Sequence, residues 1–257
     1  MPALLLIPPL HLDAVNAVVV DPSEQVLELL TRRPTAVVST IAAIVARHDV
    51  RTVAFLEPVA GLADGGYARQ CVRLLETDLA ARGVLFGRVA PEFSELAGAR
   101  VEGGVIVVDR PEPLTVTFPD SGTALLIEPG RTQPAPVVVD PLISLTLHLH
   151  APGPLDADGL LRLLLAHGRA VVDAHPFRFV LAQAVLTVDR PVRRLLHWPG
   201  VMEQALDDLR TATARLGLRL WWDEVVTVPA AEDPTELLDG VECREPLVAD
   251  LLGVSAR

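Results

Sequence analysis

Five apolar runs in this chain end on a carboxylate. "VVVDP" closes on Asp21, "AFLEP" on Glu57, "VIVVDRP" on Asp109, "LLIEPG" on Glu128, and a second "VVVDP" on Asp140. Short apolar runs of this kind read as buried strands. In an open α/β sheet the ligand crevice lies beyond the carboxyl ends of the strands. Carboxylates gathered there hold Mg²⁺ through a few oxygens and leave positions for water and a phosphate; they also receive an amine or guanidinium. Clustered carboxylates raise one another's pKa, which makes an acid/base pair. On this reading Asp21, Glu57 and Asp109 bind the metal and Glu128 or Asp140 acts as acid/base. The pattern also has a local explanation, because Asp starts turns and Pro stops a sheet ladder. It fails as a site if the strands alternate in direction.

A second constellation lies in "PLISLTLHLHAPG", residues 141–153. Residues i and i+2 of a strand share a face, so His148 and His150 can both reach one ion. A zinc site needs a third ligand and an open position. "HLD" (His11, Asp13) and "DAH" (Asp173, His175) offer the right residue types. Ser144 and Thr146 precede the histidines on the same face, so the competing reading is the wet side of a half-exposed strand. His167 and His197 stand alone and read as structural. Nucleophile signals are weaker. There is no G-x-S-x-G elbow, and the glycine pairs at 65–66 and 103–104 do not form G-x-G-x-x-G. Cys243 has Arg244 beside it to lower its pKa but no assignable orienting histidine. Cys71 falls in a helical pattern with Val72, Leu75 and Leu79 and reads as a core residue.

The elements that must position these groups change rhythm along the chain. In the first half, apolar runs ("ALLLIPP", "NAVVVD", "VRTVAFLEP", "VLFGRVA") alternate with helical patterns at 22–31, 35–48 and 65–83. Ser23 or Asp21 caps the first helix, Asp64 lies near the start of the third, and Gly83 stops it. That alternation specifies an α/β layer with a mainly parallel, Rossmann-like sheet. From about residue 100, "GGVIVVDR", "LTVTF", "TALLIEP" and "APVVVD" leave little room for helices and read as a mixed or antiparallel extension. The turn-rich "EPGRTQPAP" places a domain boundary at 132/133. Beyond it the pattern gives strand 143–150, helix 156–167 stopped by Gly168, strands 177–188 and 192–198, helix 200–216 ended by Gly217, and strand 218–228. That order is βαββαβ, the ferredoxin-like arrangement, an α+β half spanning 133–257. The tail carries one short helical pattern at 246–253.

Bulk properties exclude several functions. The chain has 257 residues, half of them hydrophobic, with a mean hydropathy of +0.38, enough to bury a sizeable core. Its net charge is −11, which argues against nucleic acid and against an anionic membrane surface. All 22 basic residues are arginine. Without lysine there is no P-loop lysine and no Schiff base. "MPALLLIPPL" lacks a basic n-region and is cut by Pro8-Pro9, so no signal peptide is expected. No run of 18 apolar residues suggests a membrane span. The expected location is the cytoplasm.

Residues 140–230 resemble the 2H phosphoesterases. "PLISL" is similar to that family's first His-x-Thr/Ser strand motif, with Ser144 in the Ser/Thr place. "EVVTV" is similar to the second, with Thr227 there, and "AHPFRFVLAQAV" resembles a segment between them. Leu142 and Val225 occupy the histidine places. The family's acid and base are those imidazoles, so the resemblance implies an inactive relative. Two functions follow. The first is a non-catalytic binding or assembly protein that presents a ferredoxin-like sheet to a small molecule, a protein partner or its own copy. The second is a hydrolase or phosphoryl-transfer enzyme using Mg²⁺ or Zn²⁺ at the strand-end carboxylates.

Overall fold

The computed structural model describes residues 3–8, 10, 12, 19, 22–56, 66–89, 93–96, 99–102, 105–108, 114–120, 122–151, 156–198 and 200–229. Asp21, Glu57 and Asp109 lie outside them, as do His11, Asp13, Asp64, Cys243 and the 246–253 pattern.

The α/β class holds. The chain begins β1 (Ala3–Ile7), α1 (Glu24–Arg47), β2 (Val50–Leu56), α2 (Tyr67–Ala81), β3 (Leu85–Val89). β1, β2 and β3 are parallel. A four-stranded antiparallel meander follows: β4 (Phe93–Leu96), β5 (Ala99–Glu102), β6 (Val105–Val108) and β7 (Leu114–Val116). β8 (Thr123–Ile127) and β9 (Ala135–Val138) then return to complete a five-stranded sheet of order β3-β2-β1-β8-β9. β8 runs antiparallel to β1, and β9 antiparallel to β8. Because β9 pairs with β8, the first sheet extends past the expected boundary at 132/133, and the passage to the second sheet falls at Val139–Pro141.

Sheet order explains where the helices lie. Right-handed crossovers that step in one direction put successive helices on one face, and α1 packs against α2 there. Val37, Ile41 and Val45 of α1 and Val72, Leu75 and Leu79 of α2 bury against Leu5, Ile7, Val53 and Phe55. The break expected between 31 and 35 does not occur. α1 runs through Pro34, although proline in a helix interior removes a hydrogen bond and crowds the preceding turn. Tertiary packing holds both halves in place: the second half lies on the first sheet, and Val26 and Leu30 of the first half pack on Leu142, Phe179 and Leu181 of the second. Ser23 Oγ caps the helix by accepting from Val26 N at 3.3 Å. Among the described residues α1 alone is long and apolar enough to cross a membrane.

The second sheet corrects the ferredoxin-like expectation. Its elements are β10 (Leu142–His150), α3 (Ala157–Ala174), β11 (Phe179–Val188), α4 (Arg190–Leu196), α5 (Val201–Arg215) and β12 (Leu220–Pro229). The three strands lie in the order β10-β11-β12 and are all parallel, whereas a βαββαβ unit needs a hairpin. Residues 192–198 alternate like a strand, but Asp189-Arg190-Pro191 is a helix start: Arg193 N donates to Asp189 O at 2.9 Å, and Pro is tolerated in a first turn. Val192 and Leu196, four apart, then share a buried face. Gly168 does not stop α3 either. A Cβ there would lie 2.6 Å from Leu220 Cδ2 and 2.8 Å from Trp222 Cζ2, so this glycine lets the helix press against β12. Gly83 and Gly217 do end helices, at φ of 71° and 63°.

Candidate functional site

Two of the strand-end carboxylates are described, and they do not meet. Ile127 pairs with Leu4 at the start of β1, so Glu128 lies at the amino edge of the parallel strands. Val138 pairs with Thr123 at the far end of β8, so Asp140 lies at their carboxyl edge. The antiparallel insertion of β8 is what separates them.

Each is also engaged by basic side chains. Glu128 accepts from His48 Nδ1 at 3.0 Å and Arg131 Nε at 2.6 Å. Asp140 is 2 % exposed and takes a forked contact from the buried Arg33: Nη2 to Oδ2 at 2.6 Å and Nε to Oδ2 at 3.0 Å. Leu142 N donates to its Oδ1 at 3.0 Å. Beside it, Arg178 donates through Nη1 to Asp120 at 2.8 Å and through Nη2 to Thr123 Oγ1. Burial pushes the Asp120 carboxyl up. The hydrogen bonds from Arg178, Gly122 N and Thr123, with the Arg178 charge, outweigh it and hold the carboxyl below its usual value. This network is the joint between the two sheets. Sequence reasoning passed over Arg33, yet it has a signal: it falls on the buried stripe Val26, Leu30, Val37, Ile41 of α1.

His148 and His150 are exposed on the face of the second sheet away from α3 and α5. Across that face they align with Val185 and Val226, and with Thr187 and Val228. Neither row supplies a third ligand. Asp173 and His175 sit at the end of α3, before β11 begins, whereas the histidines are at the carboxyl end of β10. Among the described residues no group of three or more His, Cys, Asp or Glu is placed to hold a metal ion. The two positions where the 2H phosphoesterase resemblance needs histidines fall on opposite faces. Leu142 packs beneath α1, and Val225 packs under the helices of the other face.

A different site emerges where α3, α4 and α5 begin. α3 leaves the carboxyl end of β10 and α4 that of β11, so their starts gather at the carboxyl edge of a parallel sheet, the usual ligand position in such folds. There the helices border a partly open cavity of about 500 Å³. Leu160 of α3, Val192 and Leu196 of α4, and Val201 and Ala205 of α5 form its apolar wall. Asp156, Gln204 and Asp208 stand at its mouth, all three exposed. Comparison with protein-family models, with curated proteins and with solved structures gives no match.

The cavity's chemistry is therefore read from its own residues. Asp156 is the N-cap of α3, its Oδ1 accepting from Gly159 N at 2.7 Å. Gln204 Nε2 donates to Asp208 Oδ1 at 3.0 Å. Gly200 begins α5 in the left-handed region at φ 80°, a conformation that glycine adopts without strain. None of the described lining residues is a histidine, cysteine, serine or arginine. The arrangement can surround and orient a molecule, and among the described lining residues no nucleophile is paired with a base. Sequence reasoning missed it because the wall comes from three helices, of which α3 and α5 read locally as ordinary amphipathic stretches and α4 reads as a strand.

Proposed function

We propose that the protein is a non-catalytic binding protein and that it takes a small, largely apolar molecule into the cavity between α3, α4 and α5. The observation that carries this reading is the 500 Å³ volume at the carboxyl edge of a parallel sheet. Ligand pockets span about 300–1,000 Å³ and are mostly apolar with a few placed polar groups. That no nucleophile–base pair stands among the described lining residues supports binding over turnover. A cytoplasmic location belongs to the same proposal: the buried stripe of α1 is engaged by the two sheets.

The test is titration with N-phenyl-1-naphthylamine, a neutral apolar dye that brightens out of water. Expected is a saturable rise at one dye per chain. Ala205→Trp or Val201→Trp fills the cavity and abolishes the rise while the thermal midpoint is retained. No saturable binding by the unmodified protein, or equal binding by both filled variants, would sink the proposal.

A further inference from the structure

We infer that the molecule held in this cavity carries a positive charge, an ammonium or guanidinium group on an apolar body. The inference rests on the binding reading above and adds the ligand's chemical class. Asp156 and Asp208 stand at the cavity's mouth. A smaller adjoining hollow shares Ala157, Leu160, Ala205 and Asp208 with it and adds Asp158. Among the described residues no basic side chain lines either one. In a chain with 22 arginines, many of them paired with nearby carboxylates, these three aspartates have no ion pair among the described residues.

Two of the three have a second reason to be there, since acids favour the first turn of a helix: Asp156 caps α3 and Asp158 follows in its first turn. Asp208 has no such reason. It lies in the middle of α5 (Val201–Arg215), beyond the reach of the helix start. Its one polar partner among the described residues is Gln204, an uncharged donor that leaves the carboxylate's charge uncompensated. The helix dipoles oppose a cation, but only in part. The starts of α3, α4 and α5 contribute at most about half a positive charge each, against the two full carboxylates of Asp156 and Asp208 and the nearby Asp158. The sign at the mouth stays negative. The wall of Leu160, Leu196 and Val201 accounts for the apolar body, and the mouth for its charged end.

Displacement of the bound neutral dye separates this inference from the one it rests on. Octylammonium, octanol and octanoate share a chain length and differ in charge. Octylammonium should displace the dye at about one-tenth the concentration that octanoate needs, as a few exposed charge contacts would give, with octanol between them. The ratio should shrink as salt is raised. In Asp156→Asn/Asp208→Asn the ratio should fall to about one; asparagine caps a helix as well as aspartate does. If the dye binds and octanoate competes as well as octylammonium, the charge inference is overturned and the cavity reading stands. If the dye does not bind, both fall.

Discussion

Arg33 Nη2 lies 2.6 Å from Asp140 Oδ2, with the two side chains 7 % and 2 % exposed. Arg33 comes from the middle of the helix that lies on both sheets, and Asp140 from the link between those sheets. Buried ion pairs add little over apolar packing, but removing one partner strands a charge at a cost of about 3–5 kcal/mol. Among the described residues Asp140 would be left with only the Leu142 N–H. Arg33→Ala and Asp140→Ala should each lower unfolding free energy by about that amount. Arg33→Met/Asp140→Leu should recover much of it. Urea titration checks this; a double variant no more stable than the single ones would show that the pair itself is required.

Asp120 sets an acid limit on the same joint. Its folded-state pKa is lowered, so its contribution is complete above the unfolded value near ~4 and is lost as pH falls through the depressed folded value. Thermal midpoints measured from pH 6 down to 2.5 should drop steeply below pH 4. Asp120→Asn keeps hydrogen-bonding capacity but removes the titration, so it should start lower at pH 6 and fall less. Parallel curves for the two proteins would refute the assignment.

Parts of this architecture were legible and parts were not, for identifiable reasons. Buried strands such as Ala3–Ile7 and Thr123–Ile127 are continuous apolar runs, so the α/β class follows from the sequence. Gly83 and Gly217 marked true helix ends because both take positive φ. The gap left between 31 and 35 and the stop placed at Gly168 were misleading: local rules make Pro34 and Gly168 breakers, whereas packing on two sheets and close approach to Trp222 decide their conformations. Strand direction was hidden as well, and with it the separation of Glu128 from Asp140. Asp140 was visible as a carboxylate at a strand end, but its partner lies 107 residues away, beyond any local pattern. The cavity was invisible for the same reason, since its wall joins residues from Asp156 to Asp208.

The contact at Gly168 reverses an ordinary substitution. Glycine to alanine in a helix interior normally gains about 1 kcal/mol. Here the new methyl would sit 2.6 Å from Leu220 Cδ2 and 2.8 Å from Trp222 Cζ2. Trp222 cannot yield easily: it is fully buried, and its Nε1 donates to Thr213 Oγ1 at 3.2 Å. Gly168→Ala should therefore cost about 1–3 kcal/mol, the range for overpacking. The same change in a Leu220→Val background should cost less, because valine lacks the nearest δ-carbon. Denaturant midpoints of the four proteins close the cycle; an unchanged or raised midpoint for Gly168→Ala would contradict the close approach.

Arg210 guards the outer strand of the second sheet. Among the described residues β12 has β11 on one side only, and an outer strand presents unpaired backbone groups that invite another chain. The register slips by one residue at Asp223, between Ala182–Trp222 and Gln183–Glu224. At that bulge Arg210 Nε donates to Trp222 O at 2.8 Å and Nη2 to Asp223 O at 3.2 Å, while its guanidinium lies 4.4 Å over the Trp221 ring. One planar fork meets both carbonyls and stacks at once, which lysine cannot do. Arg210→Lys should recover only part of the loss seen in Arg210→Ala, which should be about 1.5–3 kcal/mol for hydrogen bonds from a charged donor. Both variants should also associate more readily as concentration rises, and light scattering across a dilution series measures that. Arg210→Ala that stays monodisperse and as stable as the parent would show that the edge is protected by something other than this arginine.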